Sequence, residues 1–465
     1  MTADCGIIMF GKLLISNQKS LMHIIKQLLT PLQASFSNTL QGQKRKRWFI
    51  YTLMACIIPF TSSMTSNLIR SLETLFGLKL SKQRFYAFMA SSTLPWRKLW
   101  MLVWKLIPNP TTKGRIIVAL DDSINPKTGK KIFGCANFHN HASKGNQSPY
   151  PWSQCIVKIG LLKKVKSRWA CIPLSFRFYM MEKTIKEKSE TALIKGKSVI
   201  FKTKLQQSAD MIKCIYLAFN KPILIVADSW FGNKGFWNCL DKGQDGNFNI
   251  LSRLRINNNL FDFPQATAIN PKGRPKTYGS KLGSVRDCGK LYRDKAAPIW
   301  VDLYGKRREV LVYSRNLMSK NLQREIKVVW VFRKTRFVAF FTTDLSLSVV
   351  QIIEYYGARW KIESGFKELK QEIGSAKTQA RNSFAVENHL NFCMMASAFT
   401  WIYADQLEKD PDRRHKIKGR SSFAFSDIRR IIAKEVLSDE FNRAFPIYEQ
   451  TPRKSFINTL LKMVA

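Results

Sequence analysis

The stretch from Arg115 to Asp228 constrains the fold more than any other part of the chain. Short β-branched runs at Ile116 to Leu120, Cys155 to Leu162 and Trp169 to Phe176 read as three strands. A polar-apolar segment over about 184–219 reads as a helix, and Pro222 to Ala227 is a compact apolar run of strand length that ends at Asp228. Strand, strand, strand, helix, strand is the grammar of an α/β domain. It places Asp121 and Asp228 each directly behind a hydrophobic strand, so both carboxylates are expected near one edge of a sheet.

The flanking segments follow other rules. Residues 1–110 are expected to form an all-α domain, with helical apolar spacing such as Leu68, Leu72, Leu75 and Phe76. Ser81 stands where an N-cap would, before Lys82, Gln83, Arg84 and Phe85. Two readings stay open there: a helix-turn-helix that offers Lys82, Arg84 and Tyr86 to DNA, or an amphipathic bundle with solvated lysines. The α/β domain begins at 111 and its first part runs to 245. Residues 246–350 form a second β-rich stretch, with strands at Ile250 to Leu254, Val301 to Tyr304, Val310 to Tyr313, Val328 to Phe332 and Phe337 to Phe341, and read as an insertion. Helices over 351–405 then close the domain, and 406–465 is a basic, helical C-terminal region.

Charge narrows the partner. Lys plus Arg number 76 against 32 Asp plus Glu, a net charge of +44 at pH 7. Self-repulsion on that scale is screened best by a polyanion. The basic residues are spread along the chain, at Lys44 to Arg47, Lys163 to Arg168, Arg253 to Arg255 and Arg413 to Lys418, so nucleic acid is the first candidate and an anionic membrane the second. No apolar run reaches the roughly 18 to 20 residues that span a bilayer. The N-terminus, with Asp4 and Lys12 around a short apolar stretch, is not expected to be a signal peptide. Nine cysteines without a CxxC pair fit reduced thiols and give no zinc framework. A cytoplasmic, nucleoid-associated protein is expected.

Tyr356, Arg359, Glu363 and Lys370, in YYGARWKIESGFKELKQ, carry the most specific chemistry. On one continuous α-helix they share an arc of about 60°, with Trp360 and Ile362 projecting elsewhere as core anchors. A lone Glu flanked by an Arg and a Lys can hold a metal ion while the cations grip phosphates. Alone, the same pattern is also met by a solvated helix face with a routine Arg359–Glu363 pair. Asp121 and Asp228 change that balance. Two strand-end carboxylates joined by a helical one make a cluster suited to hard cations, and two such ions roughly 3.5 to 4 Å apart support phosphoryl transfer.

Asp-x-Ser at 121, Asp228 behind a strand, and Tyr-x2-Arg-x3-Glu-x6-Lys from 356 to 370 resemble the DDE transposases of bacterial insertion sequences, in the subgroup named for that Tyr, Arg, Glu, Lys signature. The resemblance covers about 80–450. It implies an RNase H-like catalytic domain interrupted by a β-rich insertion before its last acidic helix. It also implies two Mg²⁺ (or Mn²⁺) ions on Asp121, Asp228 and Glu363, and cut-and-paste transposition by cleavage at element ends and 3′-OH attack on target DNA. Arg359 and Lys370 would contact end phosphates, with Tyr356 supporting them and Lys367 on the same helix. The implied partner is double-stranded DNA, bound as a homodimer. Two neighbouring acids compete at the first position: side chains alternate across a strand, so only one of Asp121 and Asp122 can face the metals, and the family pattern favours Asp121.

Three further features stay open. Lys272, Arg274 and Lys276 in NPKGRPKTYG could lie in a narrow minor groove or form a plain basic turn. Trp300 and Trp330 are either core residues or a stacking platform for a flipped base. His139 and His141 have i, i+2 spacing, but a solvated or phosphate-facing loop suits them better than a metal site. The rival functions are a standalone RNase H-like nuclease or resolvase, and a DNA-binding regulator derived from a transposase. Intact acidic positions count against the regulator.

Overall fold

The computed structural model describes residues 21–140, 143–188, 193–194, 196–240, 246–265, 276–416 and 422–446. Helical residues 21–33 (α1) precede α2 (Leu40–Ile57), α3 (Thr65–Phe76), α4 (Lys82–Met89) and α5 (Trp96–Lys105). The next part contains β1 (Ile116–Pro126), β2 (Cys135–Asn137), β3 (Trp152–Val165), β4 (Arg168–Tyr179), α6 (Glu182–Lys188), β5 (Leu193–Ile194), β6 (Lys197–Ser198), α7 (Lys204–Phe219), β7 (Ile223–Ala227) and α8 (Lys234–Cys239). After it come β8 (Phe248–Arg253), β9 (Asn259–Phe261), β10 (Lys281–Ser284), α9 (Val285–Leu291), β11 (Ala297–Leu303), β12 (Lys306–Ser319), β13 (Arg324–Arg333) and β14 (Arg336–Thr342). The last helices are α10 (Val349–Ala358), α11 (Trp360–Lys367), α12 (Ser383–Gln406), α13 (Phe425–Val436) and α14 (Asp439–Ala444).

One mixed sheet dominates. Its centre runs β4–β3–β1–β7–β8, with β1, β7 and β8 parallel and β3 antiparallel to both its neighbours. Mixed sheet, flanking helices and this strand order fit an RNase H-like fold. The helix expected over 184–219 is divided into α6, the β5–β6 hairpin and α7, because Gly196 turns the chain at φ +79°. The described strands of 246–350, read from the sequence as an insertion, join the central sheet. β8 pairs with β7 and also with β14, and from there the sheet runs on through β13, β12, β9 and β10. A strand sequence shows that its residues are extended, but not which neighbour its backbone bonds to.

Helices from before and after the sheet also meet. α12 is buried on nearly every side, so it requires apolar cover all round. α2, α4 and α5 supply part of that cover and α13 another part, in one continuous core. Trp96 and Trp100 donate their indole N–H groups to Asn388 and Asn391 of α12, at 2.6 and 2.8 Å. The N-terminal helices and 422–446 therefore pack as one bundle around α12, where the sequence reading had separate terminal regions.

Alternation along β1 decides which side chains face which layer. Ile116, Val118 and Leu120 face the larger core, whereas Ile117 and Ala119 join Leu224 and Val226 in a second core under α10 and α11. α11 comes very close to the sheet at Gly365, where an added Cβ would stand 2.8 Å from Nζ of Lys158 on β3. Lys158 is fully buried. We expect Gly365→Ala to destabilise the fold by about 1 to 3 kcal/mol, the usual cost of overpacking. Lys158→Met should recover part of this loss in urea denaturation; no recovery would mean that the ammonium is not the obstacle.

Candidate active site

The register of β1 and β7 builds the site. Leu120 lies opposite Ala227 in the parallel pair, so Asp121 and Asp228 are the next residues along two adjacent strands. Strands stand about 4.8 Å apart, and by alternation both carboxylates point to the face that α10 and α11 cover. Asp228 is fixed by a local turn: its Oδ1 accepts the N–H groups of Trp230 and Phe231, at 3.0 and 3.2 Å. Its carbonyl accepts the Ser252 hydroxyl from β8, at 2.7 Å. Glu363 arrives on α11 over the same edge.

Arg359 joins these groups. One of its terminal nitrogens is 3.4 Å from Asp121 Oδ2 and the other 2.9 Å from Glu363 Oε1. Its guanidinium lies over the Tyr356 ring, 5.6 Å from the centroid, and Tyr356 packs on Phe340, with ring centroids 4.4 Å apart. Arg359 Nε is buried without a hydrogen-bond partner among the described residues. Burial pushes the Asp121 carboxyl up to about 7; the Arg359 cation opposes that rise, and the Asp228 carboxylate adds to it.

The neighbouring acids separate as strand alternation requires. Asp122 turns to the opposite face, where it pairs with Lys204 of α7 at 2.8 Å and meets Cys155. Asp121 is therefore the one that shares a face with Asp228 and Glu363.

The four signature residues lie on a helical run whose backbone stays in the α region at Arg359 but whose hydrogen bonding is irregular. α10 ends at Ala358, the Arg359 N–H is shared between the carbonyls of Tyr355 and Tyr356, and α11 gives way to a π-turn over Glu368–Glu372. The wider π-turn rotates Lys370 off the ideal arc. Its ammonium bonds Ser123 Oγ at 2.7 Å and the Ile124 carbonyl at 2.8 Å, which ties the helix to β1 just beyond Asp121, and burial pushes it down to about 8. Ile362 is a core anchor as expected, but Trp360 is 49% exposed. It continues the aromatic surface beside Arg359.

Other candidates fall into place around this centre. Lys367, Lys276, Lys82 and Arg84 are exposed. Ser81 caps α4 through the Arg84 N–H, and α3, a left-handed Gly77 and α4 form two helices joined by a short turn. Trp330 is fully buried, with its indole N–H on the Val285 carbonyl at 3.3 Å, so it is no stacking platform. Trp300, for which a core position was one of the two readings, is exposed at the sheet edge. His139 stacks edge-on with Tyr150. Lys272, Arg274 and His141 lie outside the described residues, as do 447–465.

The sequence reading missed three contributors. Lys158, opposite Asp121 in β3, has a buried Nζ with no hydrogen-bond partner among the described residues. Ser252 holds the Asp228 backbone, and Arg253 follows it at the carboxyl end of β8. Only Arg253 left a trace in the sequence, as part of a basic cluster.

The chain belongs to the DDE superfamily endonuclease family, whose model matches residues 35–315. The match takes in Asp121 and Asp228 and ends before α10 and α11, so Glu363, Arg359 and Lys370 rest on geometry. No curated protein is significantly similar to the chain. No helix among the described residues is long and apolar enough to cross a membrane.

The donor chemistry fits a hard divalent cation. Three carboxylates converge on one edge, and the Asp121 carboxyl is raised by burial and by its acidic neighbour, a proton that a cation would displace. Among the described residues no three acidic, His or Cys groups yet close on a single point. The Arg359 guanidinium bridges Asp121 and Glu363, so it competes with a cation for the same oxygens.

Proposed function

We propose that this chain is the transposase of a bacterial insertion sequence, of the subgroup with the Tyr356, Arg359, Glu363, Lys370 signature. In this reading it cuts DNA at the ends of its element and joins the freed 3′-OH to target DNA. The observation that carries the reading is the placement of Asp121 and Asp228 on adjacent parallel strand ends, on the face to which α11 brings Glu363. Mg²⁺ or Mn²⁺ ions, two in number, would be held by these three carboxylates, where they would sharpen the attacking oxygen and offset charge on the leaving one.

The remaining steps belong to the protein's own side chains. Arg359, released from Asp121 and Glu363, becomes a bidentate donor to a phosphate at the cleaved end. The Tyr356 ring beneath it limits the directions in which it can swing. Lys370 spends two of its three donors on β1 and keeps one for phosphate. Lys367 extends the same cationic surface.

Farther away, Lys82 and Arg84 on α4, with Lys276, would hold the duplex by its backbone. Arg84 borders a surface groove with Lys44, Arg45 and Trp48 of α2, which gives α4 a basic neighbour. Action as a homodimer on DNA, at the nucleoid, completes the proposal.

Joining is the test that separates this function from a standalone nuclease. Pre-cut duplexes bearing the element ends and a free 3′-OH are incubated with a supercoiled target plasmid and Mg²⁺. Covalent end-to-plasmid products are expected. Efficient cutting of uncut ends without any joined product would make the protein a nuclease or resolvase instead.

A further inference from the structure

The edge of the sheet beside the carboxylates carries a second structure that the proposed function has not used. β12 pairs with β13 only from Leu311 onward, so Lys306 to Val310 have β11 as their one strand neighbour among the described residues. This part of β11 and β12 is a two-stranded ribbon that runs past the sheet. Its turn, Tyr304 and Gly305, has φ of +56° and +76°, as a tight two-residue hairpin requires.

The ribbon is anchored near the catalytic helices. Val301 and Leu303 pack in the core under α10, and the Asp302 N–H bonds Glu354 of α10 at 2.9 Å. Leu303 sits so close to Gly357 that a Cβ there would meet it at 2.6 Å. Gly357 is the residue between Tyr356 and Ala358, just ahead of Arg359. The hairpin tip therefore emerges beside the signature residues.

Its charge points the same way. Lys306, Arg307 and Arg308 are all exposed at the tip. Pairing fixes their directions: Lys306 and Arg308 lie opposite Leu303 and Val301, on the face of α10 and the carboxylates, whereas Arg307 lies on the other face, over the exposed Trp300 at 5.4 Å. The neighbouring turn adds Arg333, Lys334 and Arg336, all exposed. Because β14 runs antiparallel to β8, that turn lies at the carboxyl ends of β1, β7 and β8, the edge that carries Asp121 and Asp228. Against these six cations the ribbon sets Asp302 and Glu309.

We propose that the β11–β12 ribbon is a DNA-gripping arm, which enters a groove of the duplex flanking the scissile phosphate while the Arg333–Arg336 turn holds the adjacent backbone. A two-stranded ribbon has the width of the major groove, and cations on both of its faces match a groove walled by phosphates on both sides. The arm rests on the reading of the site as a DNA-cutting centre, and it adds the place where the flanking duplex is held.

The experiment is binding of a fluorescein-labelled 30-base-pair duplex, without divalent cations, across 50 to 300 mM KCl. It compares the full chain with the Lys306→Gln/Arg307→Gln/Arg308→Gln variant. Each lost phosphate contact lowers the log-log salt slope by about 0.9, so a drop of about 2 to 3 is expected, with affinity at 0.1 M lower by at least about tenfold. A second variant, Lys306→Gln/Arg308→Gln, leaves the Arg307–Trp300 contact intact and should lose about two thirds as much slope. Unchanged slope and affinity in both variants, at an unchanged melting temperature, would overturn the arm. Weakened binding by a chain that never cuts DNA would leave the arm standing and remove only the catalytic reading.

Discussion

Glu363→Gln is expected to abolish strand cleavage, by on the order of a thousandfold or more, while duplex binding stays within about twofold. The substitution keeps the shape of the side chain and its contact with the Arg359 guanidinium, and removes only the negative charge. Losing one charge-stabilising group from an active site acts on this scale, and a neutral amide is a poor ligand for a hard divalent cation. In the proposed reading, binding would survive because it would rest on cations distributed over α4, α11 and the sheet edge. Asp122→Asn provides the contrast. Asp122 pairs with Lys204 on the opposite face of the sheet, so its loss should cost stability and leave cleavage within about tenfold. Gel assays of labelled element ends, with melting temperatures measured in parallel, read both. Undiminished cleavage by Glu363→Gln would end the carboxylate assignment. Abolished cleavage by a well-folded Asp122→Asn would move the first ligand by one residue.

That pair of variants also marks what a sequence alone reveals. The alternation of side chains along a strand is local and rigid, so IIVALDDS already implied that Asp121 and Asp122 face opposite ways, and the structure supplies Lys204 as the reason one of them is spent. Asp228 was equally legible, as an acid behind five buried strand residues. The helical stripe was legible only in part. A sequence read at 100° per residue assumes an unbroken α-helix, and neither the shared N–H bond at Arg359 nor the π-turn that redirects Lys370 leaves a periodic mark. Lys158 was invisible for a different reason. Its significance comes from lying beneath Gly365, more than 200 residues away in sequence, and spacing carries no information about such contacts. The continuity of β8 with both β7 and β14, and the packing of α2, α4, α5 and α13 around α12, are tertiary facts of the same kind.

Titration gives the second large effect. In the absence of divalent cations, the protein is expected to lose stability as pH rises from about 4 to 7, and Mg²⁺ should restore it far more at pH 8 than at pH 5.5. Burial pushes the carboxyls of Asp121 and Glu368 up to about 7 each, while carboxyls of the unfolded chain titrate near 4. Between those values the unfolded chain has released protons that the folded chain keeps. Raising the pH therefore favours unfolding, and the contribution of both groups is greatest below the unfolded value and gone above about 7. At about 1.4 kcal/mol per pKa unit, the Asp121 shift sets an upper bound of about 4 kcal/mol, which solvent relaxation will reduce. The two groups separate by mutation. Glu368 accepts the Trp401 indole N–H at 3.1 Å and Gln can do the same, so Glu368→Gln should flatten part of the pH profile and keep the full Mg²⁺ response. Asp121→Asn should flatten another part and lose most of that response. Melting temperatures at pH 5.5 and 8, with and without Mg²⁺, distinguish the outcomes. An equal Mg²⁺ shift at the two pH values, or one that survives intact in Asp121→Asn, would place the cation somewhere other than between these carboxylates.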